Sequence, residues 1–413
     1  MERLINFLVK LYKSKLAYIL RHTLRAMFPL ILVGSFAAVL RFSFFSTSGY
    51  VSTIIDLNRW LPFYRQFGQI TKIIFECTIN VIAVYAAFFS THYTVSAYQK
   101  NIPGAGAVGL FAYLIIAYQA TSQDSLAFNN YLLSQGMLIA IIVGYLCGRL
   151  LVLFAKSKEI QLNQIIKPVV IISIIAVIVN MTLGLFVRLS LPTYVASFIT
   201  INSSVKAFWY VIGLGTLTDV MAIFAIGGPF INSPSFTDAP SWANLMHALR
   251  TGSVWNAPFK YTDTTIFHSF ANFGGSGCVL ALIIAILIVS RETRYRSISK
   301  WSLFPAIFND HYPMMLGIPI LYNPIFFIPF VVAPLVNMLI SGALLSLNWI
   351  PAAVYPVPAG TPAPLIALVG TNGNWGSFIL STCLIIIDVL IYIPFVRVAE
   401  EIAKKVGVVD NDD

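Results

Sequence analysis

The side chains best suited to chemistry in the C-terminal half of the chain form the triplet Asn309-Asp310-His311. Asp310 and His311 are the only ionisable acid and base between residues 301 and 387. The segment around them, residues 303–323, is apolar but is interrupted by three prolines and a glycine. An ionisable group inside a membrane costs about 2.5–3.5 kcal/mol on insertion scales, so a functional site is the default hypothesis. The alternative is that the triplet is the solvated tip of a cytoplasmic loop close behind Lys300.

Asp219 is a second candidate, because it lies in the middle of an apolar segment with no base three or four residues away. Its carboxylate could accept hydrogen bonds from ligand hydroxyls or carry a proton. It could equally be a helix-packing carboxylate bonded to Thr216 or Thr218. His247 and His268 flank another interrupted segment, and each is more simply interpreted as a satisfied polar residue. Of the two, only His247 is included in the predicted substrate-binding set.

Trp375 closes a polar loop, Gly370-Thr371-Asn372-Gly373-Asn374-Trp375. Sugars have apolar C–H faces and hydroxyl rims, so an aromatic platform beside amides is typical of a carbohydrate site. Asn372 and Trp375 are therefore predicted to contact a sugar. The alternative for Trp375 is a place in the aromatic belt at the membrane interface.

The composition shows which elements must position these residues. Of the 413 residues, 58% are hydrophobic and only 10% are charged, and the mean hydropathy is +0.81. Soluble domains carry roughly 25% charged residues, so lipid must cover most of this chain. The net charge of +10 is therefore predicted to face anionic headgroups and not nucleic acid. No metal-ligand spacing involves the four cysteines, and no GxxxxGK[ST] loop is present, so neither a metal site nor a nucleotide site is expected.

A spanning helix needs about 20 mostly apolar residues, and nine apolar segments are candidate spans. They are Met27–Phe45, Ile70–Phe89, Gly104–Ala120, Gly136–Ala155, Pro168–Val187, Ala207–Ile226, Gly277–Ser290, Pro324–Leu347 and Gly376–Phe395. Basic residues mark the cytoplasmic loops: Arg149, Lys156, Lys158 and Lys167, then Arg291, Arg294, Arg296 and Lys300, then Arg397, Lys404 and Lys405. Counting from a cytoplasmic N-terminus requires a tenth crossing within residues 227–275. Both termini are then cytoplasmic.

The two interrupted segments, residues 227–275 and 303–323, both fall in the second half of the chain. Irregular backbone inside a membrane survives only where protein buries it or where it lines a cavity. Paired interrupted segments are the best sequence indication of a transporter's binding site. We therefore expect an all-α membrane protein of about ten transmembrane helices, two re-entrant hairpins and amphipathic interfacial helices. Residues 1–200 are predicted to be a scaffold and residues 201–413 a substrate-binding transport domain.

Four motifs, in series along the chain, resemble one family. They are Pro29–Ser35, Phe273–Gly277, the Pro-x-x-x-Gly-x-Pro-x-x-x-Asn-Pro run over Pro313–Pro324, and Gly373-Asn374-Trp375 followed by Ile391–Phe395. Together they resemble the lactose/cellobiose-type IIC components, or permeases, of the bacterial sugar phosphotransferase system. Each motif is weak alone, but the series covers nearly the whole chain in family order.

The resemblance implies a homodimer in the bacterial inner membrane, joined through its N-terminal halves. The C-terminal half would carry a β-linked disaccharide or a related β-glucoside, such as cellobiose or a diacetylchitobiose-like sugar. A IIB protein, itself served by IIA, would phosphorylate the sugar on the cytoplasmic side. The chain itself would then need no cofactor and would perform no phosphoryl transfer.

The chain also departs from the family pattern. A family His in a Gly-x-His-Gly step has no counterpart, and the family Glu before the first proline of the long motif is replaced by Tyr312. The family Asp before Trp375 is Asn374. Asp219, Asp310 and His311 could substitute for the missing pair. Alternatively, the chain is a diverged facilitator, a proton-coupled permease or a sugar sensor on the same fold.

Overall fold

The computed structural model describes residues 8–119, 127–128, 132–155, 162–188, 205–230 and 239–406. In the N-terminal part the helices are α1 (Lys15–Val39), α2 (Tyr50–Ile55), α3 (Leu57–Trp60), α4 (Tyr64–Thr78), α5 (Ile82–Ala97), α6 (Ala105–Ala117), α7 (Met137–Phe154) and α8 (Leu162–Arg188). In the C-terminal part they are α9 (Val205–Ile223), α10 (Ala239–Thr251), α11 (Val279–Val289), α12 (Thr293–Ile307), α13 (Tyr312–Gly317), α14 (Pro324–Ser346), α15 (Ala363–Gly370) and α16 (Trp375–Val406). Strands β1 (Tyr118–Gln119) and β2 (Ala127–Phe128) form an antiparallel pair.

Each of the nine predicted apolar segments contains a helix. Six helical stretches in the described part of the chain are long and apolar enough to cross a membrane, and three shorter apolar helices accompany them. The chain is therefore a multi-pass helical membrane protein. The count of ten spans and the re-entrant hairpins stay predictions. Lys156, Lys158 and the proposed domain boundary at residue 200 lie outside the described residues.

The chain forms two compact units. The first contains residues 1–31 and 76–200, and the second contains residues 32–75 and 201–413. The second unit thus combines the C-terminal half with one N-terminal segment. That segment includes α2 and α3. Its exposed apolar side chains include Ile54 on α2, Trp60 on α3 and Phe63 just before α4.

Small residues determine the packing of α5 against α6 and α7 in the first unit. A Cβ on Gly109 would lie 1.8 Å from Thr91 Oγ1, and one on Gly144 would lie 2.6 Å from the Ala87 carbonyl oxygen. The Thr91 hydroxyl donates to the Gly144 carbonyl at 3.0 Å. Close backbone approach at small residues, supported by hydroxyl hydrogen bonds, is typical of helix packing in membranes.

In the second unit α11 packs against α12 and α16, while α14 packs against α9 and α16. Almost every side chain of α11, from Val279 to Ile286, is buried. Asn323 begins α14, since its Oδ1 accepts from the Ile325 N–H at 3.0 Å and Pro324 follows it in the first turn. This is the usual combination of an Asn cap and a proline at the first helical position.

The two interrupted segments are broken as predicted. In the first, α10 is followed by a π-helical turn at Thr264–His268 and then by an irregular stretch that ends at the 3₁₀ turn Ser276–Cys278. In the second, α12 ends at Ile307 and α13 is only six residues long. The breaks bring polar backbone and side chains of the two segments together, and these form the candidate site.

Candidate functional site

The centre of the candidate site is the turn from Gly274 to Cys278, here called the glycine turn. Gly274, Gly275, Gly277 and Cys278 all have positive φ values, between 53° and 90°. At Gly275 the requirement for glycine is also steric, because a Cβ there would lie 2.2 Å from Nδ1 of His311. The Gly-Gly-Ser-Gly sequence therefore allows the glycine turn to lie directly against the second interrupted segment.

Asn309 joins the two interrupted segments by hydrogen bonds. Its Oδ1 accepts from the Gly274 N–H at 2.9 Å, and its Nδ2 donates to the Thr361 carbonyl at 3.3 Å. Its own backbone is left-handed, with φ of 65°, a conformation that Asn tolerates better than most residues. The Asn309 amide is thus satisfied by protein, which makes it a group that positions its neighbours.

Asp310 and His311 follow in the same turn and are both half-buried. Asp310 Oδ1 accepts from the N–H of Tyr312, the first residue of α13, at 3.1 Å. Burial raises the pKa of Asp310 to about 6, although the nearby Ser35 hydroxyl and the Tyr312 N–H act in the opposite direction. Burial lowers the pKa of His311 to about 4, so its imidazole is neutral at pH 7. At that pH the pair is predominantly a carboxylate beside a neutral ring.

Nδ1 of His311 is buried and has no hydrogen-bond partner among the described residues. The ring lies 4.5 Å from the ring of Tyr312, centroid to centroid. A buried polar atom without a partner costs about 1–3 kcal/mol, so such an atom calls for an explanation. A bound hydroxyl would provide one.

Two further residues carry the same signature and were not in the predicted set. His268 ends the π-helical turn, Asn272 lies four residues later, and both lead into the glycine turn. Their atoms Nε2 and Oδ1 are buried without a hydrogen-bond partner in the described structure. Burial lowers the pKa of His268 to about 4, so it too is neutral at pH 7. The sequence signal for His268 is its position beside an interrupted segment. The structure adds that His268 ends a π-turn, and π-turns often occur at functional sites.

Asp219 contacts the glycine turn through its backbone. It is fully buried on α9, and its Oδ1 accepts from the Gly277 N–H at 3.1 Å. The Tyr392 hydroxyl donates to the carbonyl of the same Gly277. The hydroxyls of Thr216 and Thr218 instead donate to carbonyls of their own helix. Asp219 thus supports the turn, and its Oδ2 has no described partner.

Asn372 lies in the turn between α15 and α16, and Trp375 is the first residue of α16. Asn372 is exposed, with φ of 58°, and 68% of Trp375 is exposed. The Trp375 ring packs edge-on against Phe378 at 5.7 Å. Asn374 caps α16, since its Oδ1 accepts from the Ser377 N–H at 2.9 Å. Asn and Asp cap helices equally well, so the exchange of the family Asp for Asn374 preserves this contact.

His247 lies on α10 and is half-buried. Its carbonyl accepts from the Thr251 hydroxyl, and no described side-chain hydrogen bond links it to the glycine turn. Among the described residues, no three His, Cys, Asp or Glu side chains come together as a metal site would require. The structure therefore joins Asp219, Asn309 and His311 at one turn and leaves His247, Asn372 and Trp375 in separate elements.

The site is a turn of positive-φ backbone with neutral imidazoles, amides and carboxyl groups around it. Several polar atoms of these side chains have no hydrogen-bond partner among the described residues. Such a polar site in broken helices of a multi-pass membrane protein is typical of a transporter. The family model of the phosphotransferase system EIIC component matches residues 21–334. The chain therefore belongs to the phosphotransferase system EIIC family, and the resemblance seen in the motifs is confirmed.

Relatives with assigned specificities cover different parts of the chain. The oligo-beta-mannoside-specific EIIC component of Bacillus subtilis is 25% identical over 97% of this chain and 94% of its own length. The cellobiose-specific EIIC component of Lactococcus lactis is 37% identical over 33% of this chain and 28% of its own length. The lactose-specific EIICB component of Staphylococcus aureus is 28% identical over 63% of this chain and 46% of its own length.

A solved structure is also similar. The transporter ChbC, the IIC component of the N,N'-diacetylchitobiose-specific phosphotransferase system, is 18% identical with a TM-score of 0.42, covering 96% of this chain and 97% of its own. At that distance the likeness does not locate site residues.

Proposed function

We propose that this chain is a sugar permease that moves a β-linked disaccharide or β-glucoside, such as cellobiose or a diacetylchitobiose-like sugar, across the bacterial plasma membrane. The observation that carries the proposal is the set of unsatisfied buried polar atoms beside the glycine turn, on His268, Asn272 and His311. A sugar hydroxyl is both a donor and an acceptor, so a polyol can satisfy them all. The named specificities of the EIIC relatives support this class of substrate.

The polar contacts would be divided between charged and neutral groups. Asp310 offers a carboxylate that accepts charge-assisted hydrogen bonds from sugar hydroxyls, and the neutral rings of His268 and His311 offer one donor and one acceptor each. Asn309 and Asp219 hold the glycine turn in place through Gly274 and Gly277. Trp375 and Asn372 form an exposed aromatic and amide pair suited to a sugar ring, and His247 completes the proposed set.

Coupling to phosphorylation is the second part of the proposal. A IIB partner, supplied by IIA, would phosphorylate the translocated sugar, and the lactose-specific EIICB relative, whose name joins the two components, supports such a partner. In this chain Tyr312 stands in place of the family Glu, so its ring, which lies beside His311, would have to orient the reacting hydroxyl. We further propose a homodimer joined through residues 1–200, a transport domain at residues 201–413, ten spans and cytoplasmic termini.

Uptake of radiolabelled cellobiose by cells that produce the chain, with and without IIB, tests the proposal. Phosphorylated sugar that appears only with IIB supports a phosphotransferase permease. Free sugar inside the cell, with or without IIB, would point to a facilitator or a proton-coupled permease. Absence of uptake and of binding for any β-glucoside by folded protein would contradict the proposal.

Two variants and one matched control locate the site by equilibrium binding of labelled sugar. His268→Gln and His311→Gln should each weaken sugar binding by roughly 1–2 kcal/mol, the value of one or two neutral hydrogen bonds. His92→Gln is the control, because His92 is exposed on α5 in the first unit. Equal effects of all three changes would show that the sugar does not bind beside the glycine turn.

A further inference from the structure

Asp388 and Asn337 form a fully buried pair between α16 and α14. Neither side chain is exposed. Asn337 Nδ2 donates to Asp388 Oδ2 at 2.8 Å, and the same nitrogen lies 3.4 Å from Sγ of Cys278 at the end of the glycine turn. The remaining polar atoms of the pair, Asp388 Oδ1 and Asn337 Oδ1, are buried without any described hydrogen-bond partner.

The two unsatisfied atoms are both acceptors when Asp388 is ionised. An amide oxygen cannot donate, and neither can a carboxylate, so the pair lacks one hydrogen. Reversing the Asn337 amide does not help, because its oxygen would then face Asp388 Oδ2 and again two acceptors would meet. Leaving two buried acceptors without donors is unfavourable, because each has lost its hydrogen bonds to water. One proton on Asp388 gives the pair the donor it lacks.

Among the residues that the structure describes, no basic side chain neutralises Asp388. The helices that pack most extensively against α16 are α11, α14 and α15, and none of them contains a Lys, Arg, His, Asp or Glu. The titratable groups nearest to it are Cys278, Tyr392 and Asp219. The Cys278 thiol lies within reach of Asp388 but donates to the Ala271 carbonyl at 3.3 Å, and Tyr392 and Asp219 both bind Gly277. All three are neutral or negatively charged. An ionised Asp388 would therefore be a buried and unpaired charge, which is the most costly arrangement in an apolar core.

We propose that Asp388 is a proton-binding site, which holds its proton as a neutral acid paired with Asn337 and thereby closes the contact between α14 and α16 behind the glycine turn. Release of the proton, favoured at high pH, leaves a carboxylate among acceptors and opens this contact. Because Asn337 also lies against Cys278, the opening displaces the glycine turn. Sugar affinity should then fall as the pH rises, a consequence that rests on the proposed function.

Infrared spectroscopy of the purified protein tests the protonation directly and without any sugar. The difference spectrum between wild type and Asp388→Asn at pH 7 should show a lost C=O stretching band of a protonated carboxylic acid, which shifts in D₂O. Asp219→Asn is the control, because it removes another fully buried carboxyl group and identifies any band that belongs to that residue. A difference spectrum containing the two stretching bands of an ionised carboxylate would overturn the proposal.

Thermal unfolding across pH gives an independent readout. Asp388→Asn places an amide opposite Asn337, and its nitrogen can donate to Asn337 Oδ1 at every pH. The variant should therefore fold and should lack the alkaline decrease in unfolding temperature that we expect of the wild type. Asn337→Leu removes the partner and should destabilise the chain at every pH. Failure of Asp388→Asn to fold would contradict the proposal, since the amide reproduces the bonds of the neutral acid. A different outcome would contradict the proposed function and leave the proton site standing. In that outcome the infrared band of the protonated acid is present in the wild type, and neither the wild type nor the folded variant binds sugar.

Discussion

Replacement of Asn309 measures how strongly the glycine turn depends on one side chain. Asn309→Ala removes the bond from the Gly274 N–H at 2.9 Å and the bond to the Thr361 carbonyl at 3.3 Å. Gly274 is buried, so its N–H is left without an acceptor, at a cost of about 1–3 kcal/mol. Loss of the weaker bond to Thr361 adds about 1 kcal/mol. The free energy of unfolding should therefore fall by roughly 2–4 kcal/mol from hydrogen bonding alone.

Alanine at this position is also destabilised by the left-handed backbone, where φ is 65°. The cost of that conformation is about 1–2 kcal/mol, and it must be separated from the hydrogen-bond effect. Asn256→Ala is the matched control, because Asn256 has φ of 59° and is exposed. The difference between the two variants isolates the loss of the bonds.

Asn309→Asp divides the hydrogen-bond effect further. The carboxylate still accepts from Gly274 but cannot donate to Thr361, so the expected loss is about 1–2 kcal/mol. Urea unfolding in detergent, followed by circular dichroism, gives the stabilities, and equilibrium binding of labelled sugar to the same samples gives the affinities. If Asn309→Ala costs no more than Asn256→Ala, then Asn309 does not hold the glycine turn and this explanation of the site is wrong.

Four other changes test separate parts of the site and the topology. Burial raises the pKa of Asp310 from its usual 3.8 to about 6, so the free energy of unfolding should decrease as pH rises between those values and then level off. Asp310→Asn should remove this pH dependence. An unchanged pH profile in the variant would show that Asp310 is not the titrating group. Gly275→Ala should abolish sugar binding and destabilise the chain far more than Gly373→Ala, because both positions have positive φ but only Gly275 lacks space for a Cβ; equal unfolding temperatures would contradict this. Trp375→Ala should weaken sugar binding by roughly 1–2 kcal/mol, through loss of apolar contact, with unchanged stability; an unchanged affinity would return the ring to the interfacial belt. A cysteine at the exposed Ser297 should react with an impermeant thiol reagent only after the membrane is opened, and labelling of intact cells would overturn the predicted orientation.

The sequence was most informative about features that depend on local composition. Long apolar runs predicted the helices, and the three prolines and glycine around Asn309 predicted that residues 303–323 would not form a single helix. Both predictions rely on the residues themselves, because an apolar run must be helical in lipid and proline removes a helical hydrogen bond. The polar triplet in an apolar segment was identified by the same reasoning.

Features that depend on contacts between distant residues could not be predicted in this way. Asn309 bonds to Gly274, 35 residues earlier, and Asp219 bonds to Gly277, 58 residues later. Nothing in the local sequence around Asp219 favoured a backbone N–H over the neighbouring threonines. His268 and Asn272 lie outside the predicted substrate-binding set for a related reason. Whether a buried polar atom has a partner is a property of the packed structure, and the sequence alone does not show it.

The π-helical turn at Thr264–His268 implies that chain length, and not only residue type, helps to place His268. A π-turn contains one residue more than an α-turn, and it is equivalent to a single insertion in a helix. Here the Ser269 hydroxyl donates to the carbonyl of Thr264, five residues earlier, and thereby supports the wider turn. Deletion of one residue inside it would restore α-helical spacing and rotate Asp263, the helical residue before the turn, by about 100° relative to His268. A single-codon deletion at this turn could therefore change substrate recognition as strongly as substitution of a binding residue, while every side chain of the glycine turn was retained.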